Sequence, residues 1–426
     1  MTHSSPDQPA RTLLGGGRPL PAPLLYIGTQ SVDALLLSMA YTTYGLYAVQ
    51  AASLGPLELV LVGTALELSI VLVEVPTGLV ADVYSRRLSV IVGLCLIGCG
   101  ITLMGAMPTF AGITLGSVLW GIGYTFISGA HQAWLADEIG ATQAASVYLR
   151  ATQISQIGSI IGIPLGVALA AKHLQLPMLV GGAGFWGLAG VLLLTMPEQG
   201  YTPVASAQRH TWAMVRETLQ AGLATVRGHA ERLIVLVIAL IYGMSSEGVD
   251  RLAPLHILDN IGLPGSFADV TWFGILNAGS FLGGAVVTWL ASQSTARRTP
   301  QRMMQTLLAL TGMLLLATLA FALARGFWPA LIALWMARWA RTAIEPLLVA
   351  WLNCGLAPGV RATVLSMLGQ ADALGEVCGG PLLGLVGMLH TVRTALACAA
   401  VVLIPVLPLY GRFLPQRKQP TAETSL

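Results

Sequence analysis

Carboxylate and guanidinium side chains stand inside stretches of this chain that are otherwise aliphatic. Asp33 and Glu67 come early; Glu247, Asp250 and Arg251 follow; then come Arg338, Arg341 and Glu345, and finally Asp372 and Glu376. An ionisable group in apolar surroundings costs at least about 2–3 kcal/mol unless it is paired or hydrated, so each one calls for a role. Glu247 and Arg251 have the i, i+4 order that suits an ion pair on one helix. Arg341 with Glu345, and Arg338 with Asp372 or Glu376, would neutralise the remaining pairs. That accounting covers all three arginines and leaves acids over, notably Asp33 and Glu67 in the first half, which has no arginine at mid-depth of its apolar segments. A carboxylate without a partner can take up and release a proton as its surroundings change, which is what coupling to protons requires. Asp33 is the first candidate for a coupling or substrate-binding acid and Glu67 the second. His131 is titratable too, but a lone histidine is more often a hydrogen-bonded packing residue.

The elements that must hold these groups follow from composition. Of 426 residues, 55% are hydrophobic and 10% charged, with 48 glycines, and the mean hydropathy is +0.74. A water-soluble domain carries roughly 25% charged residues, so most of this surface faces something other than water. Glycine-rich aliphatic sequence suits helices packed closely in lipid. Apolar segments fall at 24–50, 56–82, 88–107, 109–137, 144–171 and 176–196. A second set falls at 232–258, 266–292, 302–324, 327–354, 362–389 and 393–413. Each reaches the roughly 20 residues needed to cross hydrocarbon. The expected fold is therefore all-α and integral to the membrane, with twelve transmembrane helices in two bundles of six. Asp33, about nine residues into its segment, lies roughly 13 Å deep at 1.5 Å per residue.

The segments divide the chain into a tail over 1–23, a bundle over 24–196, a linker over 197–231, a bundle over 232–413 and a tail over 414–426. The first tail lacks an apolar run with a cleavage site and is not a signal peptide. In the linker, Trp212, Val215, Leu219, Leu223 and Val226 recur at helical spacing with charges elsewhere on the wheel, as in a surface-lying amphipathic helix. With the N-terminus inside, sixteen lysines and arginines fall in cytoplasmic segments and three, Lys172, Arg325 and Arg393, outside. Both termini are expected in the cytoplasm of a cell whose plasma membrane the chain crosses.

Some functions are disfavoured. Neither lysine, Lys172 or Lys418, sits in a glycine-rich phosphate loop, so the chain encodes no ATP-driven pump. The histidines lack zinc- or haem-type spacing, and the five cysteines read as small apolar packing residues. No enzyme activity, cofactor, metal or nucleic acid is expected.

The two halves echo one another. Ala133-Trp134-Leu135 and Arg150-Ala151-Thr152 correspond to Ala350-Trp351-Leu352 and Arg361-Ala362-Thr363. Gly158, Gly162, Pro164 and Leu165 match Gly375, Gly379, Pro381 and Leu382 at identical mutual spacing. This pattern is that of a six-plus-six parallel repeat. Between the second and third segments the chain reads Glu74-Val-Pro-Thr-Gly78-Leu-Val-Ala-Asp82-Val-Tyr-Ser-Arg86-Arg87. Here it resembles the major facilitator superfamily, whose cytoplasmic signature is G-x-x-x-D-basic-x-G-R-R/K. Gly78, Asp82, Arg86 and Arg87 match, while Val83 and Ser85 depart. In style it is nearest to the bacterial drug/proton antiporters. Gly158-Ser-Ile-Ile-Gly162-Ile163-Pro164-Leu165-Gly166 only approximates their G-x-x-x-G-P-x-x-G-G, and Thr125 stands near the place of their span-four arginine.

The resemblance implies a secondary transporter that works by alternating access, with its solute held between the halves. Gly78 would allow close helix packing, and Asp82 would meet the start of span eleven near Arg361 in a cytoplasmic gate. Spans one, four, seven and ten would surround the cavity, making Tyr41, Tyr44, Tyr124, Tyr242, Trp335 and Trp339 candidate lining aromatics. The expected activity is proton-coupled efflux of small amphipathic compounds by a monomer. The alternatives are a proton-linked importer of a nutrient or metabolite and, from another class, a non-transporting receptor or scaffold. The leftover carboxylates disfavour the receptor, and the repeat disfavours a pore.

Overall fold

A computed structural model describes residues 20–201, 230–295, 300–354 and 358–412. The amphipathic helix expected from Arg209 onward and the terminal tails up to 19 and from 413 lie outside the described residues.

The described chain is helical. The first half contains α1 (Ala22–Tyr41), α2 (Tyr44–Gln50), α3 (Pro56–Val83), α4 (Arg86–Ala106), α5 (Phe110–Ile127), α6 (Ala130–Ile139), α7 (Ala141–Ala170) and α8 (Leu176–Thr195). The second contains α9 (Ala230–His256) with a π-turn at Ile257–Ile261, α10 (Asp269–Thr295), α11 (Pro300–Leu323), α12 (Phe327–Cys354), α13 (Pro358–Leu389), α14 (Val392–Val402) and α15 (Val406–Gly411). Among the described residues, ten helical segments are long and apolar enough to cross a membrane. Neither α1, which carries Thr29, Gln30, Ser31 and Asp33, nor α12, with three charges in one stretch, is among those ten.

Local chemistry sets the helix ends. Ser85, Thr109 and Thr391 cap α4, α5 and α14 with side-chain oxygens that accept from backbone N–H groups. Pro56 opens α3, and Glu58 reaches back to the Gly55 N–H at 2.9 Å. The expected fourth segment is interrupted where Gly129 takes a φ of +75° and separates α5 from α6. The first is interrupted at Thr42–Thr43 and the last at Leu403–Pro405.

Packing repeats between the halves. In the first, α1 lies on α7, α4 on α5 and α8, and α3 on α5; in the second, α9 lies on α13, α11 on α12 and α14, and α10 on α12. The matched glycines explain the register. A Cβ at Gly158 or Gly162 would stand 2.2 or 2.4 Å from the carbonyl oxygens of Ser31 and Leu35 on α1. Gly375 and Gly379 meet the Leu240 and Met244 carbonyl oxygens of α9 in the same way, at 2.1 and 2.7 Å. Glycine here lets two backbones touch. The cysteines differ from expectation: Cys95, Cys99 and Cys378 are exposed, on faces turned away from the packed interior.

Candidate functional site

The halves meet along α3 with α13 and along α7 with α10, and α2 reaches α9 and α10. These contacts gather toward one end, here called the Ser53 end after its first connection. There a Cβ at Gly45 would stand 2.5 Å from Pro254 Cγ. Asn277 Nδ2 donates to the Thr42 carbonyl at 2.9 Å, and Gln50 Nε2 donates to Asp269 at 2.9 Å. Gly384 and Gly387 of α13 lie on Leu57 and Pro56. Toward the opposite end, that of Arg86, Leu149, Ile154 and Ile157 of α7 and Leu72 and Val75 of α3 are exposed. Gln370 of α13 donates there to Glu74 of α3.

Between the halves lies a cavity of about 740 Å³. Tyr41, Trp120 and Ile163 line it from the first half, and Asn277, Ser280 and Phe281 from the second, with charged residues of α9 and α12. A chamber of about 130 Å³ extends it toward the Ser53 end, past Tyr44 and Phe273. The tyrosine rings of 41 and 44 are 5.4 Å apart, and Trp120 stacks on Tyr124 at 5.6 Å.

The charges are arranged differently from the sequence-based pairing. Arg251 Nε donates to Glu247 at 2.9 Å, as the spacing indicates. This pair is seated on α3: a Cβ at Gly63 would stand 1.5 Å from Glu247 Oε1 and 2.4 Å from Arg251 Nε. Arg341 pairs with Asp250 and lies 3.7 Å from Glu376 Oε1, so it joins three spans and leaves its expected partner Glu345 exposed on α12. Ser246 Oγ also donates to Glu376, at 3.1 Å. Arg338 pairs with neither Asp372 nor Glu376; its Nη1 donates to Ser280 Oγ of α10 at 3.2 Å. The reason is directional: on α12 the side chain of Arg338 points to α10, and that of Arg341 to α9 and α13. Glu67 of α3 stands near Glu376 of the other half, with Glu247, Arg251 and Asp372 in its surroundings.

Asp33 is one helical turn from Leu37 and two from Tyr41, on the face of α1 that reaches the cavity. It makes no ion pair or hydrogen bond with a described residue. His131 is buried between Tyr26, 4.5 Å away, and Trp134, 5.8 Å away, in an aromatic nest.

Three proposed cavity aromatics are engaged elsewhere. Trp335 and Trp339 stack at 6.1 Å and donate to the carbonyls of Leu276 and Gly279 at 3.0 and 2.9 Å, filling notches left by Gly279 and Gly283. They bind α12 to α10. Tyr242 shares hydrogen bonds with Thr311 and Tyr410 inside the second half. Trp120, Asn277, Ser280 and Phe281 were missed because neutral polar and aromatic residues in an apolar run carry no mark of which face they occupy.

The Gly78–Arg87 motif is tied within the first half. Asp82 lies 3.6 Å from Arg86, which also pairs with Asp137. Glu198 accepts from Ser85 Oγ at 2.7 Å and from the Arg87 N–H at 3.0 Å, and Arg87 Nη2 donates to the Leu193 carbonyl at 2.6 Å. Tyr201 donates to the Asp82 carbonyl at 2.7 Å. The close packing expected at Gly78 is absent among the described residues: a Cβ there would meet nothing within 4 Å, although Thr77 and Ala81 beside it are buried on the first-half face of α3. The side chain of Arg361 lies outside the described residues.

Two helical bundles of repeated packing around a charged central cavity define a membrane transport protein. The chain belongs to the Major Facilitator Superfamily, whose sequence profile matches residues 27–321. Similar solved structures include the nucleoside transporter NupG, with TM-score 0.75 and 13% identity over 93% of this chain and 100% of that one. A bacterial homolog of the human lysosomal transporter Spinster, inward-facing and unoccupied, gives 0.73 and 14% over 94% and 98%. The peptide transporter POT in complex with sulfate gives 0.68 and 13% over 92% and 95%. No curated protein matches the chain.

Proposed function

We propose that this chain is a secondary active transporter of the plasma membrane, with twelve spans and both termini cytoplasmic, that couples protons to the efflux of small amphipathic compounds. The observation that carries the reading is the cavity between the halves, charged at mid-depth and bounded by interlocked residues at the Ser53 end. The distribution of lysine and arginine puts the Ser53 end outside, so the cavity faces the cytoplasm. Alternating access then consists of rocking the halves about their seams, α3 on α13 and α7 on α10. The ion pairs at the motif, held within the first half, suit an inward-facing state in which the gate to span eleven has parted.

Two sites support proton coupling. Asp33 projects toward the cavity without a partner among the described residues. Glu67 and Glu376 approach one another from opposite halves, and a proton on either carboxyl relieves their mutual repulsion. Proton-linked uptake would use the same geometry and is the second reading. An imposed pH gradient across proteoliposomes, in either direction, separates the two. Asp33→Asn is expected to abolish gradient-driven movement while leaving passive exchange measurable. Full gradient-driven transport in both Asp33→Asn and Glu67→Gln would overturn proton coupling.

A further inference from the structure

The cavity has a charge left over. Arg251 is satisfied by Glu247, and Arg341 by Asp250 and Glu376. Arg338 donates to the neutral Ser280 hydroxyl and has no carboxylate oxygen within 4.0 Å among the described residues. The Asp250 charge reaches it through space, but that carboxylate is already held by Arg341. Glu345 lies seven residues on, about 10 Å along the helix axis. Arg338 also lines both the main cavity and the chamber toward the Ser53 end, so its guanidinium stands at their junction.

Next to it is a space of opposite character. A second pocket of about 380 Å³ lies between α7 and α10, lined by Ile160, Pro164 and Val167 on one side and Ile275, Ala278 and Leu282 on the other. It shares Ile163 and Phe281 with the main cavity, so the two lie side by side. The seam is bridged where Gly274 meets Val167, a Cβ at Gly274 standing 2.5 Å from Val167 Cγ2. Beyond the pocket Ile157, Ile161, Leu282 and Val286 are exposed. At the opposite seam α13 lies directly against Leu57, Val60 and Thr64.

Building on the transporter reading, we propose that the solute is a single-tailed amphipathic anion. Its carboxylate or phosphate is held by Arg338, in place of the Ser280 oxygen to which that guanidinium now donates, and its apolar tail lies in the α7–α10 pocket. A planar guanidinium suits both head groups, since each offers two oxygens to its parallel N–H donors. The tail leaves water for a site lined by aliphatic side chains, which is favourable in proportion to its area.

The test uses the full chain in phosphatidylcholine nanodiscs with a diazirine-bearing decanoate as photoprobe. Cross-linked peptides are expected from 160–168 and 271–282. Decanoate and decyl phosphate should both compete, the tighter one naming the head group, and decyltrimethylammonium should not. Arg338→Gln should weaken competition roughly tenfold or more, and Arg338→Lys, which keeps the charge but not the parallel donors, should lose less than Arg338→Gln. Ala278→Phe, which fills the pocket without touching the charge, should weaken decanoate more than hexanoate. Labelling spread over lipid-facing helices alike in the wild type and Arg338→Gln, or equal competition by the cation, would overturn the assignment. Failure of the two readings is separable. Specific binding without movement of the probe into proteoliposomes upholds the site and defeats transport. Gradient-driven transport of a neutral or cationic solute, indifferent to Arg338→Gln, does the reverse.

Discussion

Removing a guanidinium from this protein should have three different costs, set by what each one leaves behind. Arg251→Ala strands the Glu247 carboxylate, whose side chain is 5% exposed, and should cost about 3–5 kcal/mol. Arg341→Ala leaves Asp250 and Glu376 facing each other, but Arg341 and Asp250 both reach the cavity, and water there reduces the loss to about 1–3 kcal/mol. Arg338→Ala breaks no ion pair among the described residues and should cost about 1 kcal/mol or less. Thermal unfolding in detergent should rank the variants in that order. Glu247→Gln added to Arg251→Ala should recover part of the largest loss. Equal losses for all three would show that the pairing seen here does not govern stability.

Among the elements, the glycines of α7, α13 and α3 make a graded test of helix contact. Gly162→Ala puts a Cβ 2.4 Å from the Leu35 carbonyl, and Gly379→Ala puts one 2.5 Å from Met244 Cα, both against backbone that cannot swing aside. Each should cost about 1–3 kcal/mol, as overpacking does. Gly78→Ala meets nothing within 4 Å, and within a helix alanine is favoured over glycine by roughly 0.5–1 kcal/mol. It should therefore melt at the wild-type temperature or above it. Where the Gly78 end of α3 closes on span eleven in the outward-facing state, the same methyl group obstructs closure and slows transport. Wild-type transport rates with Gly78→Ala would remove Gly78 from the gate.

For the molecule as a whole, rocking of the halves predicts opposite movements at its two ends. Spin labels on Ala51→Cys and Ala268→Cys flank the interlocked Ser53 end. Labels on Gln143→Cys and Gln293→Cys span α7 and α10 near the Arg86 end, where both residues are exposed. Without solute, the first pair should be close and the second far apart. Transported solute with a pH gradient should lengthen the first distance and shorten the second together. Movement at one end alone, or at neither, would contradict a two-body mechanism.

The parts legible in the sequence are those that depend on local composition and spacing. Aliphatic runs of span length, the i, i+4 pair of Glu247 with Arg251, and the doubled Gly-x-x-x-Gly pattern are all short-range. The last also reports packing, because only glycine admits a carbonyl at 2.1–2.4 Å from a Cβ position, as at Gly158, Gly162 and Gly375. What the sequence could not contain was azimuth. Arg338 and Arg341 are three residues apart, yet one points to Ser280 and the other to Asp250 and Glu376. Trp335 and Trp339 look like cavity aromatics until the Gly279 and Gly283 notches across from them are in place. In an apolar run every face is hydrophobic, so periodicity marks no inner side. Sequence alone determined that the chain is a repeated set of apolar helices carrying charges that need partners. Only the tertiary structure decided the partners beyond the i, i+4 pair, because Arg341 meets Asp250 and Glu376 from spans far apart in the chain, and the rotation of every helix about its axis is set by neighbours it meets only after folding.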